Sequence, residues 1–362
     1  MMPDKISILF MRWVDFDNTN AQSLNVREVA LRLDSRRFTC TLFYERAPDP
    51  RLLKKSNIRL VKVAPRLRTA IVLREMLRQH QVIAYINHSP ATYLFLRLPR
   101  KVRSGTITVH HAEAPAGQAT NVDRTTKFIS QAVMSRCDAH TAISEFVSHD
   151  LAGAGIKADF ILPVGVDTRL FSPPPERKHQ EPTVLFVGTV IERKGANLFV
   201  DAAQAFPMAK FLLAGSGRGG FDELLCRRCQ EQNITNARFL GSQSQSAMVD
   251  IMKRSDIFLL PSRLEGIPKV TLEAAATGLP CIVFDDYQTP SVVDGETGFQ
   301  VKTVTEMHER LRLLIQDAPL RQKLGTAGVR HARTFDWDTI ARIWEEAYSQ
   351  LADRVSTPDV SS

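Results

Sequence analysis

Two glutamates eight residues apart, Glu265 and Glu273, bracket a short turn within residues 256–298 (DIFLLPSRLEGIPKVTLEAAATGLPCIVFDDYQTPSVVDGETG). A carboxylate only accepts hydrogen bonds, so one placed just inside a helix can take two from a vicinal diol such as a ribose. Behind another apolar run stand two adjacent cations, Arg193 and Lys194. A guanidinium fork beside an ammonium point charge suits a phosphate that gains charge as it departs, and does so without a metal. Each pair has a plainer alternative. Glutamates in a loop and first helical turn gain about 0.3–1 kcal/mol from the helix dipole with no further role, and Arg-Lys is a common solvated turn.

Elements must hold these groups in place. Asp256–Pro261 reads as an apolar strand, Ser262–Ile267 as a polar loop, and Pro268 suits the first helical position because its missing N–H would be unsatisfied there anyway. The alanine-rich run Val270–Thr277 reads as a helix that Gly278 closes and Pro280 prevents from continuing, with Cys281–Asp285 as the next buried strand. Upstream, the apolar strand Thr183–Gly188 breaks at glycine and passes through Arg193-Lys194-Gly195 into an amphipathic helix, Ala196–Ala205. Further strands at 209–214 and 237–240 give a strand–helix alternation that predicts a parallel, doubly wound α/β sheet. Ligands of such sheets sit outside the carboxyl ends of strands, where helix N-termini attract phosphate. Glu265 is therefore expected beside a ligand with Glu273 reaching back to it, a spacing that fits a sugar nucleotide.

Together these residues resemble the retaining, nucleotide-sugar-dependent glycosyltransferases often called group 4. The likeness rests on VGTVIERKG at 187–195, LLAGSGRGG at 212–220, the run 239–282 and DGETGF at 294–299. It implies the GT-B fold, two Rossmann-like doubly wound parallel-sheet domains facing across a cleft. It also implies a donor site in which Gly188, Arg193 and Lys194 take the diphosphate, Gly215-Ser216-Gly217 shape the turn under the nucleotide, Glu265 with Gly266, Ile267 and Pro268 faces the sugar, and Glu273 holds the ribose.

The amino-terminal half departs from the family pattern in two places. Pro163-Val164-Gly165-Val166-Asp167 stands where the family commonly has asparagine after the proline, and no glycine lies between Met1 and Gly105, although the family often places a pair after its first strand. Asn18, Thr19, Asn20 and Ser23 instead offer a polar turn, with Asn20 or Ser23 capping a helix at Leu24–Arg36. Thr106–Val109 reads as a short strand ending in His110-His111, and the resemblance implies that His110 lies beside the reacting sugar. Glu113 is the candidate acceptor-side base, with His111 and Asn20 also on the acceptor side.

At 362 residues and 44% hydrophobic content the chain can fill two cores, given roughly 150 residues per domain. The expected organisation is an acceptor-binding domain at 1–170, a Pro-rich linker at 171–182, a nucleotide-sugar domain at 183–335, a helix at 336–352 packing back on the first domain, and a disordered tail at 353–362. The apolar stripe of that helix would be Trp337, Ile340, Ile343, Trp344 and Tyr348. Net charge is +8, yet residues 51–103 alone hold thirteen Lys/Arg against the single acid Glu75, which leaves −4 for the rest. Basic and apolar residues interleave at 66–80 and 90–103, a pattern that suits an anionic membrane surface and a lipid-linked acceptor, or else the outer faces of ordinary helices. Nucleic acid is not expected, because no stacking platform accompanies the charge.

The first residues lack the features of a secretory signal, no apolar run reaches the roughly 18 residues of a spanning helix, and five scattered cysteines suggest a reducing compartment. The expected place is the cytoplasm, peripheral at the inner face of the membrane. Cys226-Arg-Arg-Cys229 lacks a second ligand pair for zinc, and Asp285-Asp286 alone resembles a metal motif. The expectation is a glycosyltransferase moving a sugar from a nucleoside-diphosphate sugar, UDP before GDP, to a hydroxyl acceptor, with no cofactor and no metal. Two other readings stay open: a non-catalytic nucleotide-sugar-binding partner, and a hydrolysing sugar-nucleotide epimerase. Chelation with EDTA should leave transfer intact, and a loss rescued by Mg²⁺ or Mn²⁺ would overturn metal independence.

Overall fold

The computed structural model describes residues 5–16, 21–86, 89–115, 124–175 and 181–356. It divides into two compact units, one of residues 1–164 with 337–362 and one of residues 165–336. In the first, seven parallel strands, β1 (Ile6–Trp13), β2 (Phe38–Tyr44), β3 (Ile58–Lys62), β4 (Val82–Ala84), β5 (Ile107–Ala112), β6 (Ala139–Ala142) and β7 (Phe160–Ile161), lie in the order β3-β2-β1-β4-β5-β6-β7. The second has six parallel strands, β8 (Thr183–Val187), β9 (Lys210–Ala214), β10 (Ala237–Gly241), β11 (Ile257–Leu260), β12 (Cys281–Phe284) and β13 (Gly298–Val301), in the order β10-β9-β8-β11-β12-β13. Strand order therefore reverses between β1 and β4 and between β8 and β11, the positions at which loops diverge and leave a crevice.

The second sheet follows the expected strands closely because its central strands are covered on both faces. Ile257–Leu260 and Cys281–Phe284 are wholly buried, and strands buried on both sides read as continuous apolar runs. The short edge strand β13 was not anticipated. Pro268 lies one residue outside the helix Lys269–Ala276 rather than at its first position, with its carbonyl accepting from the Thr271 backbone and hydroxyl. Gly278 closes that helix at φ +82°.

Several expectations for the first unit are corrected. The first helix is Ala21–Arg32, which puts Ser23 inside it rather than at its cap; Asp17–Asn20, with Asn18, Thr19 and the candidate Asn20, lie outside the described residues. Strand β5 runs three residues past Val109, to Ala112, so His110 and His111 are interior strand residues. The units separate at Val164/Gly165 instead of Leu170, since Val166 already pairs with Asp336 and Thr168 donates to the Asp336 carboxylate. The prolines Pro173–Pro175 consequently belong to the second unit, and 176–180 lie outside the described residues.

The chain returns to the first unit as the helix Trp337–Ser356, so residues 353–356, expected in a disordered tail, are helical. Trp337, Ile340, Trp344, Tyr348 and Leu351 are buried at spacings of three and four, whereas Ile343, one position off that stripe, is 42% exposed. Trp344 donates its indole N–H to the Pro163 carbonyl (3.0 Å) and stacks on Tyr85 at 5.7 Å. Arg32 pairs with Asp338 (2.8 Å) and Arg354 with Asp159 (2.8 Å).

The basic segment 51–103 is only partly free. Arg59, Arg74 and Arg78 converge on the fully buried Glu75, at 2.6, 2.9 and 3.4 Å. Leu67, Leu77, Leu94 and Val102 nevertheless remain more than half or about half exposed on the same segment. Trp344→Ala should lower the unfolding transition of the first unit by about 3–5 kcal/mol, the usual range for a buried Trp. Denaturant unfolding followed on that unit would check it, and an unchanged transition would show that the returning helix contributes nothing to this core.

Candidate active site

Arg193, Lys194 and Glu265 follow the two strands that flank the reversal in the second sheet, β8 and β11, and the fold brings them together. Residues Glu192–Lys194 form one tight helical turn that ends at Gly195, in the left-handed conformation (φ +73°), from which Ala196–Ala205 starts. Only glycine fits there, because a Cβ would lie 2.1 Å from the Pro261 carbonyl oxygen. That close approach joins the β8 turn to the β11 loop. Lys194 Nζ reaches Glu265 Oε1 at 2.5 Å, Arg193 lies 3.6 Å from the same oxygen, and Ser262 donates its hydroxyl to it at 2.7 Å. Arg193 also donates to the Leu264 carbonyl (2.7 Å).

Glu265 thus pairs with both cations, leaving the cluster one net positive charge, and is itself buried, with three partners on one oxygen. Gly266, Ile267 and Pro268 are buried behind it and lead into the helix carrying Glu273. Glu273 is buried too, but among the described residues its only charged partner is Lys269, one turn earlier at 3.6 Å. Burial pushes its carboxyl above the usual range, and Lys269 offsets this only in part.

Gly215-Ser216-Gly217 is strapped between the neighbouring strand ends. Gly215 donates to the Gly241 carbonyl (2.9 Å), the Ser216 carbonyl accepts from Val190 (3.0 Å), and Gly217 donates to the Asp222 carboxylate (2.8 Å). A Cβ on Gly215 would meet the Gly188 carbonyl oxygen at 1.8 Å, so Gly188 and Gly215 are a backbone-to-backbone contact.

In the first unit, successive residues of β5 face opposite sides of the sheet. His111 packs against Tyr85 (4.6 Å between rings) and Trp344 (5.1 Å) and shares a 2.6 Å hydrogen bond with Thr141. Burial first, then the charges of His110 and Arg12, lowers its pKa to about 3, so it is a neutral core side chain. His110, on the other face, brings Nδ1 to 3.5 Å from Nδ1 of His140. Glu113 accepts from the Tyr85 hydroxyl (2.7 Å) and from Asn25 (3.0 Å). Burial raises its pKa against these bonds and the nearby Arg12 charge.

Residues 167–331 match the family described as Glycosyl transferases group 1. That match lies within the second unit, which is similar to the family over those residues. The chain is 31% identical over 202 residues to the GDP-mannose-dependent monoacylated alpha-(1-6)-phosphatidylinositol monomannoside mannosyltransferase of Corynebacterium glutamicum, covering 49% of this chain and 52% of that protein. It is 29% identical over 180 residues to the N,N'-diacetylbacillosaminyl-diphospho-undecaprenol alpha-1,3-N-acetylgalactosaminyltransferase of Campylobacter jejuni, covering 49% and 46%. The matches thus span about half the length of the curated relatives. Sucrose-phosphate synthase from Thermosynechococcus elongatus superposes with a TM-score of 0.79 over 97% of this chain and all of that one, at 19% identity. HepE from Anabaena, in complex with UDP, gives 0.76 over 96% and 100%, at 17% identity. At that identity the likeness speaks to the fold, which is GT-B.

Three residues of the second unit near this cluster escaped the sequence reading. Ser262 bonds Glu265, Ser242 shares a 2.9 Å hydrogen bond with Ser216, and Tyr287 is wholly buried with a hydroxyl that has no partner among the described residues. Burial and then the charge of Glu265 raise the Tyr287 pKa well above its ordinary value. Only Ser262, three residues before Glu265 at a strand end, carried a sequence signal.

The weakly partnered buried carboxyl of Glu273 has a pH signature. Folded Glu273 keeps its proton where the unfolded chain has lost it, so wild-type stability falls as pH rises from about 4.3 through the raised folded value. Glu273→Gln removes that loss. It should match wild type near pH 4 and be the more stable protein at pH 7, measured by urea unfolding. A variant less stable than wild type at pH 7 would mean that Lys269 more than compensates the burial.

Proposed function

We propose that this protein is a retaining, metal-independent glycosyltransferase that moves a sugar from a nucleoside-diphosphate sugar to a hydroxyl acceptor in polysaccharide or glycolipid biosynthesis. The observation that carries the reading is the Arg193–Lys194–Glu265 cluster at the strand-order reversal, with the under-partnered Glu273 one helix away. Two cations bound to one carboxylate can exchange it for a diphosphate. Lys194 and Arg193 then stabilise the charge that grows on the β-phosphate as the bond from the anomeric carbon to the diphosphate oxygen breaks.

Glu265, released from Lys194, accepts hydrogen bonds from hydroxyls of the transferred sugar. Glu273, ionised by the exchange of a buried apolar setting for a ribose diol, holds the nucleoside. Retention means that the acceptor oxygen bonds to the anomeric carbon on the face the diphosphate leaves, with its proton passing to the departing diphosphate. The first unit supplies the acceptor side, with His110 orienting sugar or acceptor hydroxyls and Glu113 as the acceptor-side carboxyl.

UDP is the first nucleotide to test and GDP the second, since similar proteins carry either name. A lipid-linked acceptor and attachment to the anionic inner face of a membrane fit the exposed leucines and remaining arginines of residues 51–103. Among the described residues no helix is long and apolar enough to cross a membrane.

A thermal-shift panel of UDP-, GDP-, ADP- and dTDP-sugars tests the donor site. The matching nucleotide at 100 times its Kd should add about 2.7 kcal/mol to wild type, and Glu273→Ala should lose that gain. No shift with any donor, together with unchanged cellular transfer in Lys194→Ala, would favour a non-catalytic partner protein.

A further inference from the structure

The second unit holds a groove of about 620 Å³, within the size range of small-molecule sites, that none of the donor-site residues lines. Its floor includes Asp256 at the amino end of β11 and Gly278 just past the end of the helix Lys269–Ala276. Glu265 follows the carboxyl end of that same strand, and Lys269 opens that same helix. The groove is therefore at the opposite end of both elements from the donor cluster.

Its walls are cationic. Arg321, Arg330 and Arg333 line it from the helix Ala318–Thr334, and Pro173–Pro175 form a stiff facing edge. Arg321 spends one nitrogen on the Leu314 and Ile315 carbonyls, at 2.6 and 3.0 Å. Among the described residues the guanidinium groups of Arg330 and Arg333 make no hydrogen bond or ion pair, although helix surfaces elsewhere in this chain pair their arginines. The one carboxylate in the lining, Asp256, is committed to the Thr183 backbone N–H at 2.8 Å. Three guanidinium groups against the single carboxylate of Asp256 leave the described lining net positive, which favours a compact, multiply charged anion with planar or tetrahedral acceptor oxygens.

We propose that this groove is a second, phosphate-binding site, taking the phosphate of a small phosphorylated molecule, and that occupancy alters donor affinity. The route is a backbone contact. A Cβ on Gly325 would meet the Gly278 carbonyl oxygen at 2.2 Å, and one on Gly328 would lie 3.6 Å from Ala275 Cβ. The arginine-bearing helix thus rests directly on the helix that carries Glu273, and a shift of one cannot be absorbed by side chains between them. The binding site stands on its own geometry, while the effect on donor affinity rests on the transferase reading.

Calorimetric titration of the full chain with pyrophosphate tests the site. Wild type should bind two equivalents, Lys194→Ala should lose one, and Arg330→Ala/Arg333→Ala should lose or weaken the other by about tenfold or more. Both arginines are solvent-facing, so the double variant should keep its fold, which circular dichroism would verify. An unaltered titration in the double arginine variant overturns the proposal, as does a single wild-type equivalent that vanishes with Lys194→Ala. A single equivalent lost only in the arginine variant supports this site and counts against the donor site. Parallel titrations with inorganic phosphate and glycerol phosphate separate a free-phosphate ligand from a phosphate ester. At fixed glycerol phosphate, donor Kd should change in wild type and not in the arginine variant; an equal change in both would be competition at the donor site and would remove the regulatory role.

Discussion

The reversal of strand order between β8 and β11 is the constraint on which the Arg193–Lys194–Glu265 cluster depends. Adjacent parallel strands whose crossovers run in opposite directions send their loops apart, and the residues just past their carboxyl ends face the same gap. Lys194 comes from one loop and Glu265 from the other, 71 positions later in sequence, yet they meet at 2.5 Å. Gly195 makes that meeting obligatory, since the Pro261 carbonyl occupies the space of any side chain. The electrostatics follow from the packing. Two cations at a crevice floor would be costly to desolvate alone, and a buried carboxylate between them would be costlier still if either were removed. The cluster of two cations and one carboxylate keeps a net charge of +1, which leaves it open to a further anion.

Glu273 represents the opposite arrangement in the same unit. Its carboxyl is buried in a helix whose other inward residues are Thr271, Leu272 and three alanines, and Lys269 at 3.6 Å is too far for a short charge-assisted bond. A packed apolar side chain would suit that position better for stability alone. Groups of this kind persist where function uses them, at the expense of folding free energy. Tyr287, with its buried and unpartnered hydroxyl, belongs to the same class.

How far the sequence revealed this molecule depended on how each residue is covered. The second sheet was legible because Val184–Phe186, Ile257–Leu260 and Cys281–Phe284 are buried on both faces and read as unbroken apolar runs. Glu265, Arg193 and Lys194 were legible because charges beside such runs have few other places to go. The limits of β5 were not, since its buried end is His110-His111-Ala112, and two histidines carry no strand pattern. The place of His111 depended on Trp344, more than two hundred residues away, whose ring it touches. Serine hydroxyls such as Ser262 and Ser242 act through partners that only the fold brings near. The unit boundary was misplaced because proline content marks stiffness, whereas the pairing of Val166 with Asp336 decides where the backbone changes unit.

The two units solve one problem in different ways. In the first, the groups near the reversal between β1 and β4 are Arg12, Tyr85 and Glu113, and burial governs all three: Arg12 is lowered, Tyr85 raised and Glu113 raised from their ordinary values. Tyr85 holds φ +55°, a conformation that costs a non-glycine residue about 1–2 kcal/mol, and its compensation is visible in the hydrogen bond to Glu113 and the stacking on Trp344. That stacking ring arrives on the last helix of the chain. The Glu113 carboxyl is therefore held, through Tyr85, by a residue that joins its unit only after the whole second unit has been traversed. The Arg193–Lys194–Glu265 cluster has no such dependence, because every group in it lies between Gly165 and Asp336.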